Sequence, residues 1–399
     1  MTAIVVVLNK NGVGIAADRA GSVNGEVTKV FDSNKLFRLS RTIPVGLSVY
    51  ANSEFMGVPW EILVKEYKKN DKCLHSIGDY KSDFIKFLGN FDLHDPTPLE
   101  RQVIYHFFSK LRSKTITTID RAIDNNPGLN YDQITEIIKN EIILNTYNDI
   151  NLSVKQVSPN IGMTSKMIND IIKGNIELIA GQIKIIFKNI ELKNEDLELL
   201  IKAIKLELKY FIYWKSYSGV IITGFGKNDI FPSLKEIIFY GKIYGKIIYK
   251  DGEDFAITHK VTGGIIPFAQ KDVVQNIING INPLVEGNLK SETMALINKS
   301  KLSKPNKELL NKSIIEKFSE TKRAYSEKLV NMLEFFSINE LGNIAETLIN
   351  LTSFNRRVRM EDESVGLGTD VAIISKYDGF IWSKRKHYFE PNLNPHYFK

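Results

Sequence analysis

Residues 3–8 constrain the fold more than any later stretch. They read Ala-Ile-Val-Val-Val-Leu, an unbroken apolar and mostly β-branched run. A half-exposed strand alternates polar with apolar residues, so an unbroken run suits a strand covered on both faces. Asn9-Lys10-Asn11-Gly12 follows, a hairpin turn whose Asn and Gly tolerate positive φ. Residues 13–17 are then the return strand, ended by Asp18-Arg19.

Downstream, a loop is expected over 20–32 with a turn at Asn24-Gly25, then short strands over 36–39 and 46–51. Ser53 reads as the N-cap of an amphipathic helix running to about Lys68. From about 69 to 215 the chain is rich in Ile, Lys, Asn and Leu at helical spacing. Helices are predicted over 79–88, 98–125, 131–144, 163–190 and 194–213. Strand character returns over 219–223, 236–240, 245–249 and 255–258. Val261-Thr262-Gly263-Gly264 leads to an apolar stretch and a helix from about 269 to 281, with more helix over about 305–356. Strands over 370–375 and 380–382 close the pattern through an Asp378-Gly379 hairpin. Hairpins at both ends with helices between predict an α+β fold with antiparallel sheets. The expected organisation is a core of 1–68 and 216–399 with an all-helical insertion over 69–215.

Composition narrows the classes. Of 399 residues, 43% are hydrophobic and 25% charged, which is globular and excludes wholesale disorder. The single cysteine, Cys73, excludes a disulfide framework and Cys-based metal sites, and fits a reducing, cytoplasmic location. The 53 basic and 46 acidic residues leave +7, a mild excess that permits an acidic partner without arguing for nucleic acid. No apolar run reaches the roughly 18–20 residues that span a bilayer, so no membrane partner is expected. The start has no basic n-region and no small-residue cleavage site, so no secretory signal is expected. Gly224-Phe225-Gly226-Lys227-Asn228 lacks the phosphate-loop spacing, and HExxH, EF-hand and Gly-x-Ser-x-Gly patterns are absent. No metal or cofactor is expected.

The informative order begins at position 2. If Met1 is removed, Thr2 carries a hydroxyl and a free amine on one residue. An α-amine titrates near 7.7–8.0, so nucleophile and base can belong to the same residue. Such a site needs a cation to favour the alkoxide, a carboxylate to hold the cation, and N–H groups to donate to an oxyanion. Asp18 ends the strand returning beside Thr2, Lys35 precedes the next strand, and the 50–53 turn offers backbone N–H groups.

Thr2-Ala-Ile-Val-Val-Val, Gly12-Val-Gly-Ile-Ala-Ala-Asp18-Arg19, Lys35-Leu36-Phe37 and Gly46-Leu-Ser-Val-Tyr-Ala51 together resemble the start of a β-type proteasome subunit. Those proteins are threonine peptidases of the N-terminal-nucleophile hydrolase superfamily. Glu361-Asp362-Glu363-Ser364-Val365-Gly366, followed by the 370–374 strand and Asp378-Gly379, is similar to the family's acid-x-x-Ser-x-Gly element and closing hairpin. The resemblance implies a four-layer αββα sandwich of two antiparallel sheets. It implies Thr2 as nucleophile and base, Lys35 tuning it, Asp18 holding Lys35, and Ala51 donating the oxyanion N–H. Ser364 with Glu361 or Asp362 would support the amine. It also implies a peptide or protein substrate and ring-like self-association. Departures are Ala51 where active relatives have Gly, Gly263-Gly264 without the family's Ser, Glu361 for Asp, and the large insertion.

Two functions compete. The first is a threonine-type amidohydrolase or endopeptidase working through an acyl-enzyme. The second is a catalytically inactive scaffold or assembly subunit, motivated by the missing Ser and the insertion. A nucleic-acid or acidic-ligand binder using the helical segment is weaker, because the net charge is mild.

Overall fold

The computed structural model describes residues 2–23, 29–92, 98–187, 190, 192–358 and 368–386. β1 (Ala3–Asn9) and β2 (Gly12–Asp18) form the expected hairpin, from Ile4 opposite Ala17 to Asn9 opposite Gly12, and every residue of both is buried. Asn9 closes the turn. Its Oδ1 accepts the Asn11 N–H at 2.8 Å, and its amide donates to the Leu333 carbonyl at 2.7 Å. Where a loop was expected, β3 (Ala20–Val23) pairs with β4 (Lys29–Asp32). β5 (Leu36–Arg38) and β6 (Val45–Ala51) follow as expected.

The helix expected from Ser53 starts later. β7 (Glu54–Phe55) and β8 (Val58–Pro59) intervene as a miniature hairpin, and α1 (Trp60–Lys69) begins after Pro59. Met56 and Gly57 both have positive φ, 51° and 78°, the geometry that joins two strands through two residues. Pro59 has fixed φ and no N–H to lose, so it suits a helix entry.

α2 (Ile77–Asn90) is entered through a capping box between Ser76 and Asp79. α3 (Leu99–Asn125) and α4 (Tyr131–Ile137) follow. A π-helical turn over Ile138–Leu144 then leads into α5 (Asn145–Ser153). The helix expected over 163–190 is two, α6 (Ser165–Gly174) and α7 (Ile176–Phe187), separated at Asn175, whose side chain donates to the Ile171 carbonyl at 2.9 Å. α8 (Asn194–Tyr210) ends at Phe211, which sits at φ 51°. Phe107, Phe108, Ile142, Ile171, Ile204 and Leu208 of α3 to α8 form one apolar cluster with Ile243 and Ile248.

β9 (Ser218–Gly224) leads to β10 (Ser233–Ile243) and β11 (Lys246–Ala256), one long hairpin where three short strands were expected. β12 (Gly263–Ala269) precedes α9 (Asp272–Asn279), α10 (Pro283–Lys299), α11 (Lys304–Leu333) and α12 (Ile338–Val358). β13 (Thr369–Ser375) and β14 (Gly379–Lys384) close the chain through the expected Asp378-Gly379 turn.

Two five-stranded sheets result, ordered β12-β1-β2-β13-β14 and β11-β10-β9-β6-β5, with antiparallel neighbours throughout. The fold is mixed, α with antiparallel β. Ile4, Val6, Leu8 and Ile15 face Ile221 and Leu234 between the sheets. Ala3, Val5 and Val7 point the other way, against Leu341 and Leu348 of α12. Leu47, Val220 and Phe239 carry the outer face of the second sheet onto Trp60, Leu63 and Phe84 of α1 and α2. Successive β1 residues therefore meet different apolar layers, which is why the run has no polar break. No helix among the described residues is long and apolar enough to cross a membrane.

The β2–α12 contact leaves no room for a side chain at Gly14, where a Cβ would lie 2.3 Å from the Leu341 carbonyl carbon and 2.5 Å from the Gly342 nitrogen. Backbone cannot retreat as a flexible side chain can. Gly14→Ala is expected to cost at least about 2 kcal/mol, read from the denaturant midpoint; a change under about 0.5 kcal/mol would contradict this packing.

Candidate active site

Hairpin geometry brings Asp18 back to the beginning of β1. The Asp18 carboxylate is 1% exposed and gathers three strands. Its Oδ1 accepts the Ala3 N–H at 2.7 Å and the Lys35 ammonium at 2.9 Å, while Oδ2 accepts the Ala20 N–H at 3.1 Å. Lys35 also donates to the Ala20 carbonyl at 2.5 Å and is 7% exposed. The Lys35 carbonyl takes the Val49 N–H at 2.9 Å, fixing the residue to β6.

Burial pushes the Asp18 carboxyl above its usual range, against the pull of the Lys35 charge and the three hydrogen bonds. Burial likewise pushes Lys35 below the usual ammonium range, against the attraction of Asp18. Desolvation dominates both because the pair has little water around it.

Thr2 is buried at the mouth of this arrangement and its carbonyl accepts the Gln270 N–H at 3.3 Å. Thr2, Lys35 and Ala51 line one cleft of about 290 Å3, at the lower end of the roughly 300–1,000 Å3 of small-molecule sites. Ala51 ends β6 with φ 68°, a left-handed conformation that glycine adopts without strain and alanine at a cost of about 1–2 kcal/mol. Of the residues singled out in the sequence, Thr2, Asp18, Lys35 and Ala51 therefore lie together. Glu361, Asp362 and Ser364 fall outside the described residues.

Register removes one correspondence. Gly263 and Gly264 pair with Asn9 and Leu8, at the opposite end of β1 from Thr2. That is roughly 20 Å away at about 3.3 Å per residue. The main chain beside Thr2 is instead Ala269-Gln270, and Ala269 itself sits at φ 60°.

Two further ion pairs border the site and were assigned no role from sequence. Arg19 Nε meets Asp370 Oδ1 at 2.8 Å, and the Arg19 N–H donates to the Gly368 carbonyl at 3.1 Å, joining the ends of β2 and β13. Lys386, which lines the cleft, pairs with Asp32 at 3.0 Å. A signal for the first existed: Asp18-Arg19 and Thr369-Asp370 put charges at the ends of two otherwise apolar strands.

No family model and no curated protein matches the chain. Solved structures similar to it include an Anbu (Gly-1) mutant from Hyphomicrobium sp. strain MC1, at 10% identity and TM-score 0.32, covering 100% of this chain and 94% of that one. Anbu (ancestral beta-subunit) from Yersinia bercovieri is 9% identical at TM-score 0.30, covering 99% and 93%. Anbu from Hyphomicrobium sp. strain MC1 is 10% identical at TM-score 0.30, covering 96% and 86%. Scores this low establish neither a shared fold nor a shared activity. The resemblance to β-type proteasome subunits is thereby corrected: it rests on short strand and turn segments, and membership of that family does not follow. What stands is the geometry of this chain's own residues.

Asp18→Asn strands the Lys35 ammonium in a buried place and is expected to cost about 3–5 kcal/mol. Adding Lys35→Met recovers most of that loss, because an uncharged pair no longer needs solvation. Urea midpoints of the four proteins of this cycle check it; additive losses would show that the two side chains do not depend on each other.

Proposed function

We propose that the chain is an amidohydrolase, most simply a peptidase, whose nucleophile is the hydroxyl of an N-terminal Thr2 exposed by loss of Met1. The observation that carries the reading is the buried Asp18–Lys35 pair, bonded to the N–H of the residue after Thr2 and opening on the cleft that Thr2 lines. A purely structural contact here would be as stable or more so if made of apolar side chains. A desolvated, shifted ion pair whose lysine lines the same cleft as a threonine is the kind of surrounding an activated nucleophile needs.

In this mechanism the Lys35 charge stabilises negative charge developing on Thr2 Oγ and keeps the terminal amine neutral. The amine takes the hydroxyl proton as Oγ attacks the amide carbonyl. The Ala51 N–H donates to the oxyanion, the C–N bond breaks, and the amine returns the proton to the leaving nitrogen. Water, deprotonated by the same amine, then attacks the ester; the C–Oγ bond breaks, the acid leaves, and the amine returns that proton to Thr2 Oγ. Ser364 and Glu361 are kept as partners of the amine on sequence order alone. The finer fold assignment belongs to this reading too: the stacked sheets are taken as an αββα sandwich of the N-terminal-nucleophile type, with 69–215 as its helical insertion. The support is the two-sheet core and the placement of Thr2, not kinship.

A second reading, an assembly subunit without turnover that self-associates, is favoured by α11, where Leu333 is the buried residue of a 30-residue helix.

Turnover of a panel of fluorogenic peptide amides separates the two. Thr2→Ala is expected to lower kcat at least about 10³-fold. For the native chain, kcat/KM should rise with pH through an ionisation at or below about 8, because the base is a terminal amine beside a cation. Full activity of Thr2→Ala would end the amidohydrolase reading. A defined oligomer without turnover would favour the second.

A further inference from the structure

A second cavity, of about 300 Å3, shares the Asn52-Ser53 wall with the Thr2 cleft and lies on the far side of the β6 end. Tyr217 and Tyr240, with ring centroids 6.5 Å apart at 62°, stand on one side of it. Phe55 and Phe239, 3% and 0% exposed, back it from the core, their centroids 5.6 Å apart at 60°. Trp214 adds a fifth ring, and Glu54 adds a carboxylate. Among the described residues, no Lys or Arg lines the cavity.

The cage is held in place before any ligand arrives. The Glu207 carboxylate, 1% exposed, accepts the main-chain N–H groups of Tyr213 and Trp214, each at 2.9 Å. The His106 ring packs edge-on against Trp214 at 5.7 Å. Glu207 is therefore spent on positioning the tryptophan. Tyr240 already receives one ammonium: Lys250 Nζ lies 5.5 Å from its centroid, donating to the Tyr210 carbonyl at 2.6 Å and facing the Glu207 charge.

We propose that this cavity is a site for an organic cation, an ammonium or guanidinium group, and that during turnover it holds a basic side chain of the amide substrate. The second half rests on the amidohydrolase reading; the first half does not. Aromatic faces attract cations through their quadrupoles, most strongly where water is excluded, and Glu54 supplies a counter-charge. A carboxylate ligand would meet Glu54 with no lining cation to offset it. An aliphatic ligand would gain nothing from Glu54. The two cavities share Asn52 and Ser53 in their walls, so a ligand in one lies next to the wall of the Thr2 cleft.

Calorimetry on the full Thr2→Ala chain tests binding without turnover, using N-acetyl-arginine amide, N-acetyl-norleucine amide and N-acetyl-glutamate amide. The arginine compound is expected to bind at least about tenfold tighter than norleucine, with glutamate weakest. Glu54→Gln, an exposed position that leaves the fold intact by thermal melt, should bring the arginine-to-norleucine ratio down about fivefold or more. Trp214→Leu should do the same if its melt is unchanged. Equal binding of the three amides, or an unchanged ratio in Glu54→Gln, overturns the site. In the native chain, the kcat/KM ratio for arginyl over norleucyl substrates should collapse in Glu54→Gln. Arginine-selective binding without Thr2-dependent turnover would leave the cation site standing and remove the amidohydrolase reading. Turnover without arginine preference would do the reverse.

Discussion

The Asp18 carboxylate is the point at which the local folds at this end of the molecule are joined. It ends β2, receives the main chain of β1 and β3, and holds the ammonium that precedes β5. Each of those donors would otherwise be a buried polar group in search of a partner. The arrangement costs desolvation of two charges, and three hydrogen bonds to one carboxylate are what make that cost bearable. Because one oxygen serves both the Ala3 N–H and Lys35, any movement of the lysine is felt by the residue next to Thr2. The electrostatics of the site and the path of the first strand are therefore the same constraint.

That constraint works only on a stiff support. β1 is an interior strand of its sheet, with β12 on one side and β2 on the other, and its side chains alternate between the inter-sheet core and the layer beneath α12. β2 approaches α12 so closely that Gly14 meets main chain. Thr2 thus hangs from a strand buried along its whole length, while its cleft is walled by strand ends and turns, the usual division between rigid scaffold and variable site. The second cavity follows the same rule, with a core edge at Phe55 and Phe239 and a helical-segment wall at Trp214.

Much of this was legible from short-range chemistry. The unbroken 3–8 run, the Asn9–Gly12 turn and the Asp378-Gly379 turn encode their hairpins locally, and the return of Asp18 to the N-terminus follows from hairpin length alone. The failures have physical causes as well. Ser53 looked like a helix cap, but Met56-Gly57 form a two-residue turn and Pro59 defers the helix. Gly263-Gly264 stood where the resemblance expects a serine, but strand register is a long-range property and pairs them with the far end of β1 from Thr2. The Trp214 wall was invisible because Glu207 reaches forward to bind main-chain N–H groups, a contact that leaves no periodic trace. Family resemblance misled where short apolar and glycine-rich segments, which many sheets use, were taken together as kinship.

The account stands or falls on whether Thr2 acts with both its amine and its hydroxyl. A peptide epoxyketone can close a ring on such a residue, the oxygen adding to the ketone and the nitrogen opening the epoxide. After incubation of the full chain with that reagent, mass analysis of the N-terminal peptide gives the answer. The account predicts a peptide lacking Met1 and carrying the reagent on Thr2. A peptide that retains Met1, or one that begins at Thr2 and stays unmodified, would contradict it.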